Sequence, residues 1–333
     1  MPATYSNSLT LMDVASQKNP DGSIAKIAEI LSEYNPILWD IPFVEGNTET
    51  GNIITRRATL GEATWRGLNE GVPVSVSRVS QLTETCGILE TYLEVDKRLV
   101  EMSGDVGTFM LNQAKGKMEG MSQIMAQTLM YGNNKLLPRT FLGFMPRLSN
   151  LNTTQRNGQP IVLDAGGTGS KLSSILLVAW GEDKVAGIYP KYGKSGLQYE
   201  DLGQQTLTDA SGGRYEGYRQ HWVWEAGLCV YDYRYVVRIA NIDTSSVAYD
   251  EASAKKIYNL MIDAFSYIPA AGGASLTAYA PRTVWAHLSK LSNADVNRSQ
   301  VVPVNESSRL ISNIAGVPFR MCDCMLETES KIS

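Results

Sequence analysis

Few residues in this chain have the types and spacing that catalysis needs. A Ser-His-Asp triad would have to use His221 or His287, the two histidines of the sequence. His221 lies between Gln220 and Trp222 on a predicted strand, and His287 lies inside a predicted helix. Neither is near the Gly-x-Ser-x-Gly turn that exposes a nucleophilic serine. The spacing therefore argues against a hydrolytic triad.

A glycine-rich stretch at residues 166–171 has part of the composition of a phosphate-binding loop. Its lysine, Lys171, follows Ser170, whereas the lysine of a Walker loop comes directly after the last glycine. The spacing predicts a glycine-rich loop that binds no nucleotide.

Two carboxylates, Asp232 and Asp243, leave one enzymatic alternative open. They lie beside a predicted hairpin rich in Trp and Tyr, whose rings could stack on a sugar. Sequence spacing does not fix the distance between two carboxylates, so a carbohydrate-active hydrolase stays a remote alternative. The simpler interpretation is a pair of solvated loop acids beside packed aromatic rings.

The four cysteines do not form a metal-binding pattern. They are predicted to be reduced, buried thiols, since no secretory signal is recognisable. They are Cys86, Cys229, Cys322 and Cys324. The last two alternate on a predicted strand and should point to one face. With two histidines as the other soft ligands, we predict no metal and no cofactor.

Composition excludes several classes of protein. Among 333 residues, 43% are hydrophobic and 19% charged, which is typical of a globular chain of one large or two ordinary domains. A net charge of −4, without a basic cluster longer than Arg56–Arg57, argues against a dedicated nucleic-acid-binding protein. No run of 18 apolar residues occurs, so no transmembrane helix is predicted.

The longest periodic stretch is residues 103–131, where apolar side chains recur every three or four positions and so share one helix face. The residues of this face are Val106, Met110, Ala114, Met118, Met121, Met125 and Leu129. Ser103 or Asp105 is suited to cap the first backbone N–H groups, and Gly132 ends the helix. Further apolar residues off this face predict packing on more than one side. They are Phe109, Leu111 and Ile124.

Residues 47–85 predict a two-stranded β-ribbon. The first strand covers residues 53–60, and alternating valines mark the second. These valines are Val72, Val74 and Val76. Between the strands, residues 61–71 form a polar tip with Trp65. Two strands are marginally stable alone in water, so the ribbon must lie on its own domain or on a neighbouring subunit. Side chains suited to contact a neighbour are Arg56, Arg57, Trp65, Arg66 and Arg78.

The segment before the ribbon is polar at its start, and residues 1–20 predict an arm rather than a core. A short amphipathic helix follows, and Asn35–Pro36 ends it. Its apolar face consists of Ile24, Ile27, Ala28 and Leu31.

Residues 151–326 alternate between predicted strands and helices, which indicates an α/β or α+β domain with a layered sheet. Residues 192–217 are predicted to be rich in loops. The predicted strands are residues 175–180 in the sheet centre, 184–190, a hairpin of 221–231 with 234–241, 276–280 and 316–323. The predicted helices are residues 257–265 and a helix opened by Pro281.

Four segments of this second half carry a resemblance to a known family. They are Trp180-Gly-Glu-Asp-Lys-Val-Ala-Gly-Ile-Tyr-Pro-Lys191, Gly196-Leu-Gln-Tyr-Glu-Asp-Leu-Gly203, Tyr233-Arg-Tyr-Val-Val-Arg-Ile-Ala-Asn-Ile-Asp243 and Gly316-Val-Pro-Phe-Arg-Met-Cys-Asp323. With the arm, ribbon and long helix, most of the chain resembles the major capsid protein of tailed bacteriophages, which has the Hong Kong 97-like fold.

The resemblance implies an α+β fold and a structural, non-enzymatic function. Residues 1–46 would be the N-terminal arm, and residues 47–85 an extended loop over the adjacent subunit. Residues 86–150 would be the peripheral domain with the spine helix 103–131. Residues 151–333 would form the axial domain and late peripheral strands. Copies would assemble in the host cytoplasm, as pentamers and hexamers, into the icosahedral virion shell that encloses double-stranded DNA without sequence-specific binding.

Two departures from the family pattern affect the expected partners. Some members join an extended-loop lysine covalently to a neighbour, but this chain has no lysine between Lys26 and Lys97. Noncovalent contacts or a cementing protein would therefore hold the shell. The arm and ribbon fill the residues before the spine helix, which leaves no room for a fused scaffold. We therefore expect a separate scaffolding protein, together with a portal and no membrane partner.

The closest alternative is a bacterial encapsulin-like nanocompartment, which would have the same fold and an inner pocket for cargo. The four quoted segments favour the phage family over it.

Overall fold

A computed structural model describes residues 33–154, 159–209, 211–247, 251–269, 273–294, 301–303 and 311–333. The predicted arm at residues 1–20 and the predicted amphipathic helix with Ile24 and Leu31 lie outside the described residues. Within the described residues, no helix has the length and apolar character needed to cross a bilayer.

The described elements mix strands and helices along the whole chain. The strands are β1 (Phe43–Glu45), β2 (Gly51–Thr59), β3 (Arg78–Thr85), β4 (Gly87–Asp96), β5 (Ile161–Asp164), β6 (Leu172–Trp180), β7 (Val185–Tyr189), β8 (Leu197–Thr208), β9 (Arg214–Val230), β10 (Val236–Asp243), β11 (Ser275–Ala280), β12 (Val301–Pro303), β13 (Ile311–Ile314) and β14 (Val317–Met321). The helices are α1 (Ile37–Asp40), α2 (Lys97–Ser103), α3 (Val106–Tyr131), α4 (Phe144–Arg147), α5 (Thr244–Val247), α6 (Glu251–Tyr267) and α7 (Arg282–Ala294).

These elements fall into two compact units, each built from separated parts of the chain. The described parts of the first unit are Glu33, Ile88–Met125 and Gly196–Glu225. Those of the second unit are Tyr34–Gly87, Ala126–Ser195 and Ala226–Ser333. The predicted domain limits at residues 46, 85 and 150 stay a prediction.

The first unit packs α3, up to Met125, against one face of a sheet formed by β4, β8 and the first part of β9. β8 and β9 are an antiparallel hairpin, with pairs from Leu197–Trp224 to Thr208–Arg214. The core consists of Leu93, Val95, Val100, Phe109, Met110, Ala114, Met121 and Trp222. At Gly217 a Cβ would lie 2.7 Å from the Val95 carbonyl oxygen, so the strands approach closely only because no side chain stands there.

The long helix is confirmed, but it begins three residues later than predicted. Ser103 ends the separate helix α2, and Gly104, with φ at 87°, breaks the chain before α3. Asp105 is the cap: its carboxylate accepts bonds from the Thr108 N–H (3.2 Å) and hydroxyl (2.6 Å). These bonds lower the pKa of Asp105.

Most of the predicted apolar face of α3 is buried. The buried members are Met110, Ala114, Met121, Met125 and Leu129, whereas Met118 is half-buried and Val106 is exposed. Of the three residues off this face, Phe109 is buried but Leu111 and Ile124 are exposed. Of these three residues only Phe109 packs within the described chain, although Ala126 and Met130, also off the named face, are buried as well.

Two predictions for residues 192–241 are wrong. Residues 192–217 contain β8 and the start of β9 rather than mainly loops. Residues 221–231 and 234–241 do not form a hairpin, because β9 pairs with β7 and β8, whereas β10 pairs with β5 and β6. The pairing partners of β9 come from before it in the chain, which local sequence does not reveal.

The second unit is built on a seven-stranded sheet in the order β12-β13-β14-β11-β6-β10-β5. The sheet is mixed: β10 is parallel to β5 and antiparallel to β6, and β11 is parallel to β14 and antiparallel to β6. Every residue of β6 is buried, which confirms the predicted central strand. α6 and α7 supply Ile257, Met261, Val284 and Leu288 to the core.

The predicted strand position of Cys322 and Cys324 is wrong, since β14 ends at Met321. A turn closed by the Met325 N–H on the Cys322 carbonyl (3.3 Å) brings the two Sγ atoms to 3.2 Å. Both side chains are buried. All four cysteines lie in the described residues, and none of them forms a disulfide.

A buried ion pair holds the C-terminal segment against β10 within the second unit. Arg238 Nη2 lies 2.9 Å from Glu329 Oε2, and both side chains are almost fully buried. Arg238 also donates to Ser174 Oγ (3.0 Å) and the Leu148 carbonyl (2.8 Å). The Tyr131 hydroxyl donates to Glu329 Oε1 at 2.6 Å, and burial, with the charge of Glu329, raises the pKa of Tyr131. Both oxygens of the buried Glu329 carboxylate therefore accept hydrogen bonds.

Replacing Glu329 by Gln should destabilise this unit strongly, since it leaves the buried guanidinium of Arg238 without its counter-charge. Breaking a buried pair on one side typically costs about 3–5 kcal/mol. Urea denaturation of Glu329→Gln should show this loss. Glu101→Gln is the matched control, because it breaks the exposed Lys97–Glu101 pair, where about 0–1 kcal/mol is expected. Equal stability of the two variants would contradict the assignment.

Candidate functional site

The predicted ribbon is present as a separate two-stranded sheet of β2 and β3. The strands are antiparallel, with Gly51 opposite Thr85 and Thr59 opposite Arg78. The second strand is therefore Arg78–Thr85, and the prediction from the valines at positions 72, 74 and 76 is wrong. These valines are exposed and lie in an irregular segment. Pro73 within it has no N–H to donate to a ladder.

The base of the ribbon is held by an ion pair between Glu84 on β3 and Arg147 on α4. The pair is bidentate, with Nη2 2.7 Å from Oε2 and Nη1 bonded to Oε1. Both side chains are almost completely buried. Arg147 also donates to the carbonyls of Leu142 (2.8 Å), Gly143 (3.1 Å) and Leu228 (3.2 Å). Burial favours the neutral form of Arg147, but the bonds and charge of Glu84 outweigh it and raise the pKa.

A second arginine fixes the adjacent strand. Arg56 on β2 donates from Nε to the Tyr231 carbonyl at 2.9 Å and from Nη2 to the Val230 carbonyl. Its guanidinium lies 4.6 Å from the centre of the Tyr233 ring. Asn52 Nδ2 donates to the Tyr231 hydroxyl at 2.8 Å, and burial raises the pKa of Tyr231 to about 12.

Beyond this base, the ribbon exposes apolar side chains to solvent. Trp65 and Leu68 at the tip are almost completely exposed. Other exposed apolar residues of the ribbon are Leu60, Val72, Val74, Val76 and Val79. A base fixed by buried charges thus carries a tip whose large apolar side chains are uncovered in the single chain.

The five residues suggested for contact with a neighbour are in different situations. Arg57, Trp65, Arg66 and Arg78 are exposed. Arg56 is partly buried and bonded within its own chain, as described above. Glu84 and Arg147 are not among the five: they are 63 residues apart, and no local pattern links them.

The residues considered for catalysis have structural neighbours. The His221 ring stacks on Tyr92, with centroids 4.2 Å apart. Asp232 binds the Arg234 guanidinium, and Asp243 accepts bonds from the Ser245 N–H (3.0 Å) and hydroxyl (2.5 Å). Among the described residues, no group of three or more His, Cys, Asp or Glu is placed to hold a metal.

Comparison with protein families gives one match over almost the whole sequence. A family model described as major capsid protein GP7 matches residues 19–333. The chain belongs to this family. It is therefore a structural capsid protein, which self-assembles into the shell of a bacteriophage virion, and the sequence resemblance is confirmed.

Solved structures of phage capsids support the same assignment. The capsid structure of bacteriophage Epsilon15 is 28% identical, with a TM-score of 0.76, and the match covers 100% of this chain and 99% of the other. The capsid of bacteriophage JBD30 is 11% identical, with a TM-score of 0.50 and coverage of 95% and 99%. The second likeness concerns the fold alone. The α+β, Hong Kong 97-like fold is thereby confirmed.

Two further comparisons add no weight to the alternatives. The SrpI encapsulin of Synechococcus elongatus PCC 7942 is 12% identical, with a TM-score of 0.39 over 70% of this capsid protein and 96% of the encapsulin. That likeness is too weak to carry an argument. A search of curated proteins finds no significant match.

Replacing Arg147 by Met should release the base of the ribbon, because the Glu84 carboxylate is then buried without its partner. We expect a loss of about 3–5 kcal/mol in unfolding free energy. Hydrogen exchange of the β2 and β3 amides should accelerate most. Arg57→Met is the control, since Arg57 is exposed and surface changes usually stay within about 0.5 kcal/mol. Unchanged exchange in both variants would show that Arg147 does not hold the ribbon.

Proposed function

We propose that copies of this capsid protein form pentamers and hexamers of an icosahedral shell around double-stranded DNA, in which each ribbon lies on a neighbouring copy. One observation carries the proposal: the ribbon tip exposes Trp65 and Leu68, while buried ion pairing fixes its base. A patch of large exposed apolar side chains on a folded protein is typical of an interaction site.

The length of the ribbon supports contact with another subunit. β2 has nine residues, and a strand rises about 3.3 Å per residue, so the tip stands about 30 Å from Gly51. Two strands without a supporting surface are marginal in water. Covering the ribbon with a neighbour therefore stabilises both the ribbon and the shell, which couples order in the ribbon to assembly.

The charged residues of the ribbon have two proposed roles. Arg57, Arg66 and Arg78 are exposed, and we assign them to contacts with the neighbouring subunit. Arg56 positions β2 within its own chain. Exposed ion pairs contribute about 0–1 kcal/mol each. In a closed, symmetric assembly the same pair occurs at every equivalent interface, so the contributions add up over the shell.

The domain roles follow the family resemblance. In this proposal residues 1–46 are the arm, 47–85 the extended loop, 86–150 the peripheral domain, and 151–333 the axial domain with late peripheral strands. A separate scaffolding protein, a portal and a cementing protein are the proposed partners. No enzymatic role is proposed, because Asp232 is paired with Arg234 and His221 is stacked on Tyr92.

Replacing Trp65 by Ala and Leu68 by Ser together should abolish assembly without unfolding the subunit. Both side chains are exposed, so the melting temperature should stay within about 1 °C, as expected for surface changes. Electron microscopy of the expressed protein should show shells for the wild type and dispersed subunits for the variant. Tyr192→Ala removes another exposed aromatic ring and should still form shells. Normal shells from the double variant would contradict the role of the ribbon.

Purified shells should separate into single chains in denaturing detergent. The sequence has no lysine between Lys26 and Lys97, so the ribbon cannot supply an amine for an isopeptide bond. A denaturing gel should therefore show one band at 36.5 kDa, whatever the age of the particles. Higher bands that persist under reducing conditions would mean that another residue forms a covalent link.

A further inference from the structure

A second exposed apolar feature stands on the loop after α3, residues 132–140. Leu136 and Leu137 are consecutive, and they are 78% and 65% exposed. Directly after the loop, Phe141 and Phe144 are almost completely buried. Apolar side chains on one short segment are thus divided between the core and the solvent.

The conformation of this loop is fixed by its own hydrogen bonds. The N–H groups of Leu136 and Leu137 both donate to the Asn133 carbonyl, at 3.1 and 2.9 Å. The Thr140 N–H and hydroxyl both donate to the Leu137 carbonyl, at 3.0 and 2.9 Å. The two leucines are therefore held outward by a built turn rather than by a loose chain.

The base of the loop is equally constrained. The Gly143 N–H donates to the Gly132 carbonyl at 2.7 Å, which closes the loop. A Cβ on Gly132 would lie 2.5 Å from the Thr128 carbonyl oxygen and 2.7 Å from that of Phe141. Glycine at position 132 is thus required for the close approach that positions the leucines.

The charged residues of the loop itself are all positive. Lys135 and Arg139 flank them, and residues 132–140 contain no acidic residue. The tip of the ribbon, residues 61–71, has a net negative charge, since Glu62 and Glu70 on either side of Trp65 and Leu68 outnumber Arg66 between them. A positive loop and a net negative tip thus each expose apolar side chains.

We propose that the loop at residues 132–140 of one copy is the docking surface for the ribbon tip of a second copy. The inference rests on the proposed function, since it names the surface on which the ribbon lies. Leu136 and Leu137 would pack on Trp65 and Leu68, and Lys135 and Arg139 would face Glu62 and Glu70. Each copy offers one tip and one loop, so the contact is head-to-tail, which is the type of contact that forms a ring when the rotation between copies closes.

Cysteine cross-linking of assembled shells tests the contact. In the double variant Leu68→Cys, Leu136→Cys, oxidation by dissolved oxygen with a copper catalyst removes two protons and two electrons from each pair of thiols. Non-reducing gels should then show a ladder of linked chains ending at rings of five and six. Each single variant, and the wild type with its native cysteines, should stay a single chain.

Three results of this experiment would overturn the inference. One is intact shells of the double variant that yield only single chains. Another is a link within one chain, seen as a faster-migrating monomer. The third is linked chains from Leu136→Cys alone, which would mean that the loop meets its own copies. Absence of wild-type shells under every condition would instead refute the proposed function.

Charge reversal gives an independent test if the cysteine variant fails to assemble. Lys135→Glu and Glu62→Lys should each lower the yield of shells about tenfold, because like charges then meet in the interface. Combining them should restore most of the yield. The same loss in the combined variant as in the single ones would contradict the pairing. Lys117→Glu, an exposed reversal on α3, is the control and should leave the yield unchanged.

Discussion

The base of the ribbon is organised around the buried pair of Glu84 and Arg147, with the bonds of Arg56 beside it. An isolated two-stranded ribbon is only marginally stable in water, so its orientation relative to the rest of the chain depends on the contacts at its base. A bidentate guanidinium–carboxylate pair has one geometry, whereas an apolar contact tolerates sliding. The three backbone carbonyls that Arg147 also binds connect this geometry to the adjacent chain segments. The base of the ribbon is thereby fixed within the single chain.

The same arrangement explains why exposed apolar residues are tolerated at the tip. Burying a large apolar side chain is worth about 1.5–3 kcal/mol, and in the single chain Trp65 and Leu68 forgo this contribution. A flexible ribbon would lose more entropy on docking than a ribbon whose base is already fixed. Buried charges at the base therefore reduce the entropy that the ribbon loses on docking, and so favour burial of the apolar residues at the tip.

Elements with a strong periodic pattern could be predicted from sequence. The helix face from Met110 to Leu129 and the continuous apolar strand β6 were identified because burial imposes period and composition locally. β8 was missed for the opposite reason. Most of its side chains are exposed, so selection for burial leaves little pattern in them. Pairing was less predictable still, because β9 pairs not only with the adjacent strand β8 but also with β7 and the distant strand β4.

The sequence predicted that a ribbon is present, but not the ion pair that holds its base. Composition indicated a ribbon with a polar tip, yet Glu84 and Arg147 have no shared local pattern and meet only in the fold. The valines at positions 72, 74 and 76 alternate with polar residues, as in a strand that is buried on one face. This pattern led to the wrong position for β3. All three are exposed, so no described residue of the same chain covers that face. In our proposal the surface that covers it belongs to a neighbouring copy. Predictions from the sequence of one chain therefore fail for residues that become buried only in the assembly.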